Sequence, residues 1–100
     1  MFNHIVLFKL KDFQNDQQKT EASEQICRAL LELKEKITEL KYLEVGSNYE
    51  PNGPSFDISL ITRFEAKEDF LTYRDHPEHL KVVSLVRENT VDRAVVDYME

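Results

Sequence analysis

The chain of 100 residues has one cysteine, no excess of basic residues and no long apolar run. Because a lone cysteine, Cys27, cannot form a disulfide within the chain, we expect a reduced, cytoplasmic setting. A membrane-spanning helix needs roughly 20 consecutive apolar residues, and no apolar run approaches that length. The apolar segment after Met1 is also too short for the core of a secretion signal. The sequence thus predicts a protein without a membrane segment.

Several partners and enzyme classes are also excluded by what is missing. The net charge of −6 argues against a nucleic-acid partner, since such proteins normally present a basic face. The sequence has no phosphate-binding glycine loop, nucleophile elbow, dinucleotide fingerprint or Cys-x-x-Cys pair. The enzyme classes that depend on these motifs are therefore set aside, and no cofactor is predicted.

The composition that remains, 41% apolar and 32% charged, is that of one globular domain over residues 1–100. A chain of this length buries only roughly two-thirds of its unfolded surface. Burial of further surface against a second copy would stabilise such a chain, so dimerisation is expected.

Four segments have the composition and alternation of β-strands. Residues 4–10 are apolar on both faces, which is typical of a strand that is covered on both sides. Residues 56–64 alternate strictly between an apolar face and a mixed one. Residues 42–49 alternate more loosely, and residues 93–98 form the last strand. A turn is predicted over residues 50–55, which contain two prolines and an Asn-Gly pair.

Two helical segments lie between these strands. Asn15 or Asp16 offers an N-cap, and the apolar residues from Ala22 to Leu40 recur at helical spacing along one stripe. A second helical region, residues 66–89, is interrupted at Pro77, which cannot continue a helix but suits the first turn of a new one. In the new helix, the residues expected to face the core are Leu80, Val83 and either Leu85 or Val86.

The order β-α-β-β-α-β predicts an α+β, ferredoxin-like unit with an antiparallel sheet and its helices on one face. The second face also carries apolar residues, namely Ile5 and Leu7 of the first strand, Ile61 of the third and Val95 of the fourth. An open apolar face of this kind needs a cover, so we predict a homodimer in which two sheets pack face to face. Polar residues on the mixed faces are expected to pair across the interface or to line a small cavity: Asp57, Ser59, Arg63 and Asp97.

Two of the three histidines lie in the segment Tyr73-Arg74-Asp75-His76-Pro77-Glu78-His79. Histidine is the side chain that most easily takes up and releases protons near neutral pH, so this segment is a candidate site. Structural roles are open alternatives: a packed aromatic for Tyr73, a helix cap for His76 or Asp75, and a first-turn residue over the sheet edge for His79.

Metal binding is a further alternative for the same segment. His76 and His79 are three residues apart, and Glu78 adds an oxygen ligand. These residues do not make a complete ligand set, and Pro77 keeps His76 from a helical position. We therefore predict no metal site.

Residues 4–11, the motif Tyr73-x-x-His76-Pro77-x-His79 and the segment Val96-Asp97-Tyr98 follow one another along the chain. Together they resemble the stress-responsive dimeric α/β-barrel (Dabb) family, and the likeness runs through nearly the whole chain. The resemblance implies the fold predicted above, with two sheets forming a barrel across the dimer. It also implies a stress-associated protein whose biochemical role is open.

Some members of this family are polyketide cyclases, which fold a linear poly-keto chain by an aldol step. Resemblance to them implies that His79 and Tyr73 are catalytic and that His4 lines the cavity. The chemistry is coherent, because a neutral imidazole can take a proton from the carbon next to a carbonyl and a phenol can donate to the enolate oxygen. The chain departs from the cyclases in one respect: it has no tyrosine between Asn15 and Leu40, where they carry one on the first helix.

Two hypotheses of function follow, and they differ on whether the protein is an enzyme. The first is a stress-associated homodimer that binds a small molecule in a cavity. The second is a cofactor-free enzyme that uses His79, Tyr73 and His4. Such an enzyme would resemble a polyketide cyclase or, by analogy of fold alone, a monooxygenase or a dismutating lyase. It requires that the three side chains face one enclosed cavity of about 300 Å3 or more.

Overall fold

Every predicted strand and helix is present in the computed structural model of the protein, which describes residues 1–50 and 53–100. In chain order the elements are β1 (Phe2–Leu10), α1 (Asp16–Lys36), β2 (Tyr42–Ser47), β3 (Ile58–Phe64), α2 (Lys67–Asp75), α3 (Pro77–Asn89) and β4 (Thr90–Met99). The second helical region is divided into α2 and α3, as the proline predicted. The turn predicted over residues 50–55 includes Pro51 and Asn52, which lie outside the described residues.

The strands form one sheet in the order β2-β3-β1-β4, and every neighbouring pair is antiparallel. This is the ferredoxin-like arrangement, so the predicted fold class is confirmed. Alternate residues of β1 and β3 are buried and pack with apolar residues of the helices into a single core. The helices therefore cover one face of the sheet, which we call the helix face, and leave the outer face open.

Helix α1 begins as predicted, with Asn15 as its N-cap. The side-chain oxygen of Asn15 accepts a hydrogen bond of 2.8 Å from the backbone N–H of Gln18. The apolar stripe is buried along the helix and continues past its end, since Ile37 and Leu40 are also buried. Within residues 1–50 and 53–100, no helix combines the length and the apolar character needed to cross a membrane.

The junction between α2 and α3 follows from Pro77. The proline occupies the first turn of α3, and His76 before it is extended, with φ −66° and ψ 135°. The ring of His76 caps α3, because Nδ1 accepts a hydrogen bond of 3.1 Å from the backbone N–H of Glu78. Asp75, the alternative cap, is instead paired with Arg74 at 3.0 Å. His76 thus has the capping role that the sequence suggested.

Two predicted orientations were wrong. Leu80 was expected in the core but is 51% exposed, whereas Val86 is buried. Val95 was expected on the outer face, but its partner in the sheet is Val6, which lies on the helix face, and Val96 takes the outer position opposite Ile5. A shift of one residue in the register of a strand moves each of its side chains to the opposite face. The side chains of β4 could therefore be assigned to a face only once its pairing with β1 was known. Tyr49 lies beyond the end of β2 and is almost fully exposed.

The outer face carries an apolar patch at its centre, which confirms that this face is not simply polar. Ile5 lies between Ile61 on β3 and Val96 on β4. Leu7 and Tyr98 belong to the same face, and both are more than a third exposed. We call these five residues the outer patch.

Asp57 is paired within its own chain, contrary to the pairing expected across an interface. Its Oδ2 accepts a hydrogen bond of 2.8 Å from the backbone N–H of Leu10, and its Oδ1 lies 3.3 Å from Nζ of Lys19. This buried carboxylate therefore connects the end of β1 to the first turns of α1.

Candidate functional site

A cavity of about 480 Å3 lies between the helix face of the sheet and the helices α2 and α3. His4, Tyr73 and His79, the three residues singled out in the sequence, all line it. Its volume is within the range of roughly 300–1,000 Å3 that small-molecule sites occupy. The three side chains therefore line one cavity of ligand size.

The break at Pro77 brings Tyr73 and His79 together. Tyr73 lies near the end of α2 and His79 in the first turn of α3, and their ring centroids are 4.3 Å apart. His4 reaches the same space from β1, with its ring 4.6 Å from that of Phe70. Phe70 in turn lies 6.4 Å from Tyr73, so its ring is near both His4 and Tyr73.

His79 is oriented as a base. Its Nδ1 lies 2.9 Å from the backbone carbonyl oxygen of Arg74, which can only accept, so Nδ1 of the neutral ring donates. The other nitrogen, Nε2, is then left with a lone pair. Burial lowers the pKa of His79 from its usual value of 6.5, and the nearby His4 and His76 lower it further. The neutral, proton-accepting form is therefore favoured at neutral pH.

His4 has the same orientation, imposed by Asp97. The two residues are direct partners across β1 and β4, and Nδ1 of His4 lies 2.5 Å from Oδ1 of Asp97. A carboxylate can only accept, so Nδ1 donates and Nε2 has the lone pair. Asp97 also lines the cavity. The sequence had placed Asp97 among residues of the mixed strand faces; only the register of β4 against β1 identifies it as the partner of His4.

Tyr73 contributes a proton donor that has no partner. The residue is 1% exposed, and its hydroxyl oxygen forms no hydrogen bond within residues 1–50 and 53–100. Burial raises the pKa of Tyr73 well above its usual value, so the phenol keeps its proton at any physiological pH. An unpaired buried hydroxyl costs free energy.

The rest of the wall is partly apolar and partly cationic. Valines from three elements line it, among them Val6, Val86 and Val95. Three arginines that no sequence signal indicated also line the cavity: Arg74 beside His79, and Arg87 and Arg93 near the junction of α3 and β4. Of the acidic residues only Asp97 is part of this wall.

In the described part of the chain, no three His, Cys, Asp or Glu side chains are grouped closely enough to bind a metal ion. His76 and His79 each use Nδ1 in a hydrogen bond with the backbone. What the arrangement offers is proton transfer by imidazole and phenol in a partly apolar cavity.

A larger hollow of about 780 Å3 opens near the start of α1, next to Asp57 and Lys19. It contains none of the candidate residues, and the carboxylate of Asp57 is already engaged there by Lys19 and the Leu10 amide. We therefore regard the cavity at His79 as the candidate site, although it is the smaller of the two.

Comparison with known proteins places the chain among related barrels. The family model of the stress responsive A/B barrel domain matches residues 2–100. Among curated proteins, none matches the chain.

Solved structures match over nearly the full length. A dimeric, ferredoxin-like protein of unknown function from Bacteroides fragilis is 35% identical with a TM-score of 0.87, over 97% of this chain and 93% of that one. A dimeric ferredoxin-like protein of unknown function from Thermobifida fusca is 26% identical with a TM-score of 0.82, over 97% and 88% of the two chains. The hydroxynitrile lyase of Passiflora edulis is 21% identical with a TM-score of 0.79, over 97% and 90%, a likeness of fold alone.

Proposed function

The chain belongs to the stress responsive A/B barrel domain family, and we propose that it binds a small carbonyl compound in the cavity and moves a proton on it without a cofactor. The observation that carries this proposal is the convergence of His4, Tyr73 and His79 on one cavity of about 480 Å3. In the proposed reaction His79 is the base, His4 positions the ligand, and the phenol of Tyr73 remains a donor.

The proton step uses His79 and Tyr73 in complementary roles. Nε2 of His79 takes a proton from the carbon next to the carbonyl, and the electron pair of that C–H bond becomes the carbon–carbon double bond of the enolate. The carbonyl oxygen takes the electron pair of its π bond and accepts a hydrogen bond from the hydroxyl of Tyr73, which stabilises the developing charge. Return of the proton from His79 to the carbon regenerates the carbonyl compound and the protein.

His4 and Asp97 serve this step as a positioning pair. Asp97 fixes the ring of His4, and the Nε2 lone pair of His4 accepts a hydrogen bond from a hydroxyl or enol of the ligand. Phe70, stacked against His4 at 4.6 Å, limits the space beside it. The ligand is thereby held with its reactive carbon near His79.

Binding without turnover is the second candidate function. The unpaired hydroxyl of Tyr73 favours it, because a carbonyl oxygen that merely accepts this hydrogen bond already removes a cost of burial. A binding protein of this kind would use the same cavity and the same residues, and it would leave the bound molecule unchanged.

The assembly that we propose is a homodimer through the outer patch. Leu7, Val96 and Tyr98 are 38%, 58% and 44% exposed, and together they form a contiguous apolar surface on one face of the sheet. The similar proteins from Bacteroides fragilis and Thermobifida fusca are both dimeric, which supports the same assembly here. Two such sheets packed face to face complete a barrel.

We propose a reducing, cytoplasmic setting for this homodimer. Cys27 is a free thiol that lies 3.5 Å from Oγ of Ser47. Its side chain is packed between α1 and β2 rather than cross-linked, as suits a compartment in which thiols stay reduced.

Deuterium exchange tests the proposed function with a probe that requires no knowledge of the natural substrate. Acetophenone is incubated with the protein in deuterium oxide, and proton NMR follows the loss of its methyl signal. We expect exchange above the protein-free rate, its loss in His79→Gln and its retention in the control Arg28→Gln, an exposed change on α1. Binding of acetophenone without protein-dependent exchange favours the second candidate, and absence of binding contradicts both.

A further inference from the structure

The cavity has two chemically different ends, which the fold separates along β4 and α3. At one end His4 pairs with Asp97. On the same face of β4, Arg93 lies opposite Phe8, four residues away from Asp97 and so roughly 13 Å along a strand. Helix α3 separates the same two kinds of residue, because Arg87 follows His79 by eight residues, about 12 Å along a helix.

Arg87 and Arg93 lie at the same end because α3 passes directly into β4 at Thr90. Arg87, Thr90 and Arg93 all line the cavity. Between this end and the histidines the wall is formed by valines, including Val86 and Val95. A ligand in the cavity therefore meets cationic groups at one end, apolar groups in the middle and proton-transfer groups at the other end.

The two guanidinium groups at this end have no anionic partner of their own. In residues 1–50 and 53–100, no carboxylate lies within 4.0 Å of Arg87 or Arg93. Arg74, the third arginine of the wall, differs because Asp75 binds it through two hydrogen bonds of 3.0 and 3.2 Å. Two uncompensated positive charges in one wall are notable in a chain whose net charge is −6.

We infer that the ligand is a carbonyl compound that carries an oxyanion at its far end, held by Arg87 and Arg93. Guanidinium groups donate paired hydrogen bonds to carboxylate and phosphate oxygens. Arg87 and Arg93 are both exposed, so an incoming anion can reach them. The anion would fix the ligand along the cavity, so that its carbonyl end reaches Tyr73 and His79. This inference deepens the proposed function and rests on it for the assignment of the carbonyl end.

Two rigid probes that differ in charge test the inference. Para-acetylbenzoate carries an acetyl group and a carboxylate at opposite ends of one ring, and para-acetylbenzamide has nearly the same shape without the charge. Calorimetric titration gives the affinity of each, and deuterium exchange of the acetyl methyl reports the reaction. We expect the benzoate to bind at least about tenfold more tightly than the benzamide, since a charge-assisted pair contributes at least that factor.

Variants of the two arginines test whether they cause the preference for the benzoate over the benzamide. Arg87→Gln and Arg93→Gln should each reduce the preference for the benzoate over the benzamide severalfold. Arg28→Gln, which removes an exposed charge from α1, is the matched control and should retain the preference. Para-acetylphenyl phosphate, measured in parallel, distinguishes a phosphate site from a carboxylate site by which of the two anions binds more tightly.

The outcomes separate this inference from the proposed function. Equal affinity for the benzoate and the benzamide, or a preference that survives in both arginine variants, overturns the inference, even if exchange of both probes depends on His79. Absence of exchange for both probes contradicts the proposed function alone, because an arginine-dependent preference for the benzoate still establishes the anionic end.

Discussion

His4 on β1 and Asp97 on β4 are direct partners in the sheet, and their side chains meet on the helix face with Nδ1 2.5 Å from Oδ1. This pair fixes which nitrogen of His4 is free. His79 is fixed in the same way by the carbonyl of Arg74, whereas His76 has the opposite tautomer because its Nδ1 accepts from Glu78. The two histidines of the cavity, His4 and His79, thus share one tautomer, and the capping residue His76 has the other.

The first prediction is this pattern of tautomers. At mildly alkaline pH, nitrogen chemical shifts should show His4 and His79 protonated at Nδ1 and His76 protonated at Nε2. Asp97→Asn removes the carboxylate and should allow His4 to populate both tautomers, while the control Asp92→Asn on the outer face should not change them. A neutral His4 that is protonated at Nε2 in the unmodified protein contradicts the arrangement.

The second prediction concerns the unpaired hydroxyl of Tyr73. Tyr73→Phe should raise the free energy of unfolding by about 1 kcal/mol, because it removes a buried donor that has no partner. The same change should abolish the exchange of acetophenone, because no donor then faces the carbonyl oxygen. Chemical denaturation measures the stability, with Tyr49→Phe as a fully exposed control. A loss of stability in Tyr73→Phe would mean that the hydroxyl has a partner.

The third prediction separates His76 from His79. His76→Ala removes the cap of α3 and should lower the free energy of unfolding by about 1 kcal/mol. His76→Asn keeps a capping side chain and should recover most of that stability. Both variants should retain exchange of acetophenone, since His76 does not line the cavity. Loss of exchange in folded His76→Asn would give this residue a part in the reaction.

The fourth prediction tests the outer patch. Val96→Asp places a charge at its centre, next to Ile5, and burying an unpaired charge is costly. Analytical ultracentrifugation at micromolar concentration should show a dimer for the unmodified chain and a monomer for this variant. Leu31→Asp, an equally drastic change at an exposed position of α1, should remain dimeric. A monomer before any substitution contradicts the proposed assembly.

The sequence predicted the elements well because their signals are local. The alternation of residues 56–64, the Asn15 cap and the break at Pro77 each depend on a few neighbouring residues, and each was confirmed with small shifts of the boundaries. The family resemblance was equally informative, because its motifs recur in order along the chain.

The wrong orientations and the missed site residues have a different cause, since the features concerned depend on how distant segments pack together. The face of Val95 and the pairing of His4 with Asp97 both follow from the register of β4 on β1, which no local pattern contains. Leu80 has helical spacing suited to the core, but the rotation of α3 about its axis exposes it. Arg87 and Arg93 line one cavity only because α3 leads directly into β4 and the two elements run back along one another.

The central claim is that His79 acts as a base inside the cavity, and the pH dependence of acetophenone exchange tests it most directly. Exchange requires the neutral imidazole, so the rate should fall as the pH falls through the pKa of His79. Because burial lowers that pKa, the midpoint should lie below 6.5, and His79→Gln should abolish the protein-dependent rate. A midpoint at or above 6.5, or an unchanged profile in His79→Gln, would contradict the account.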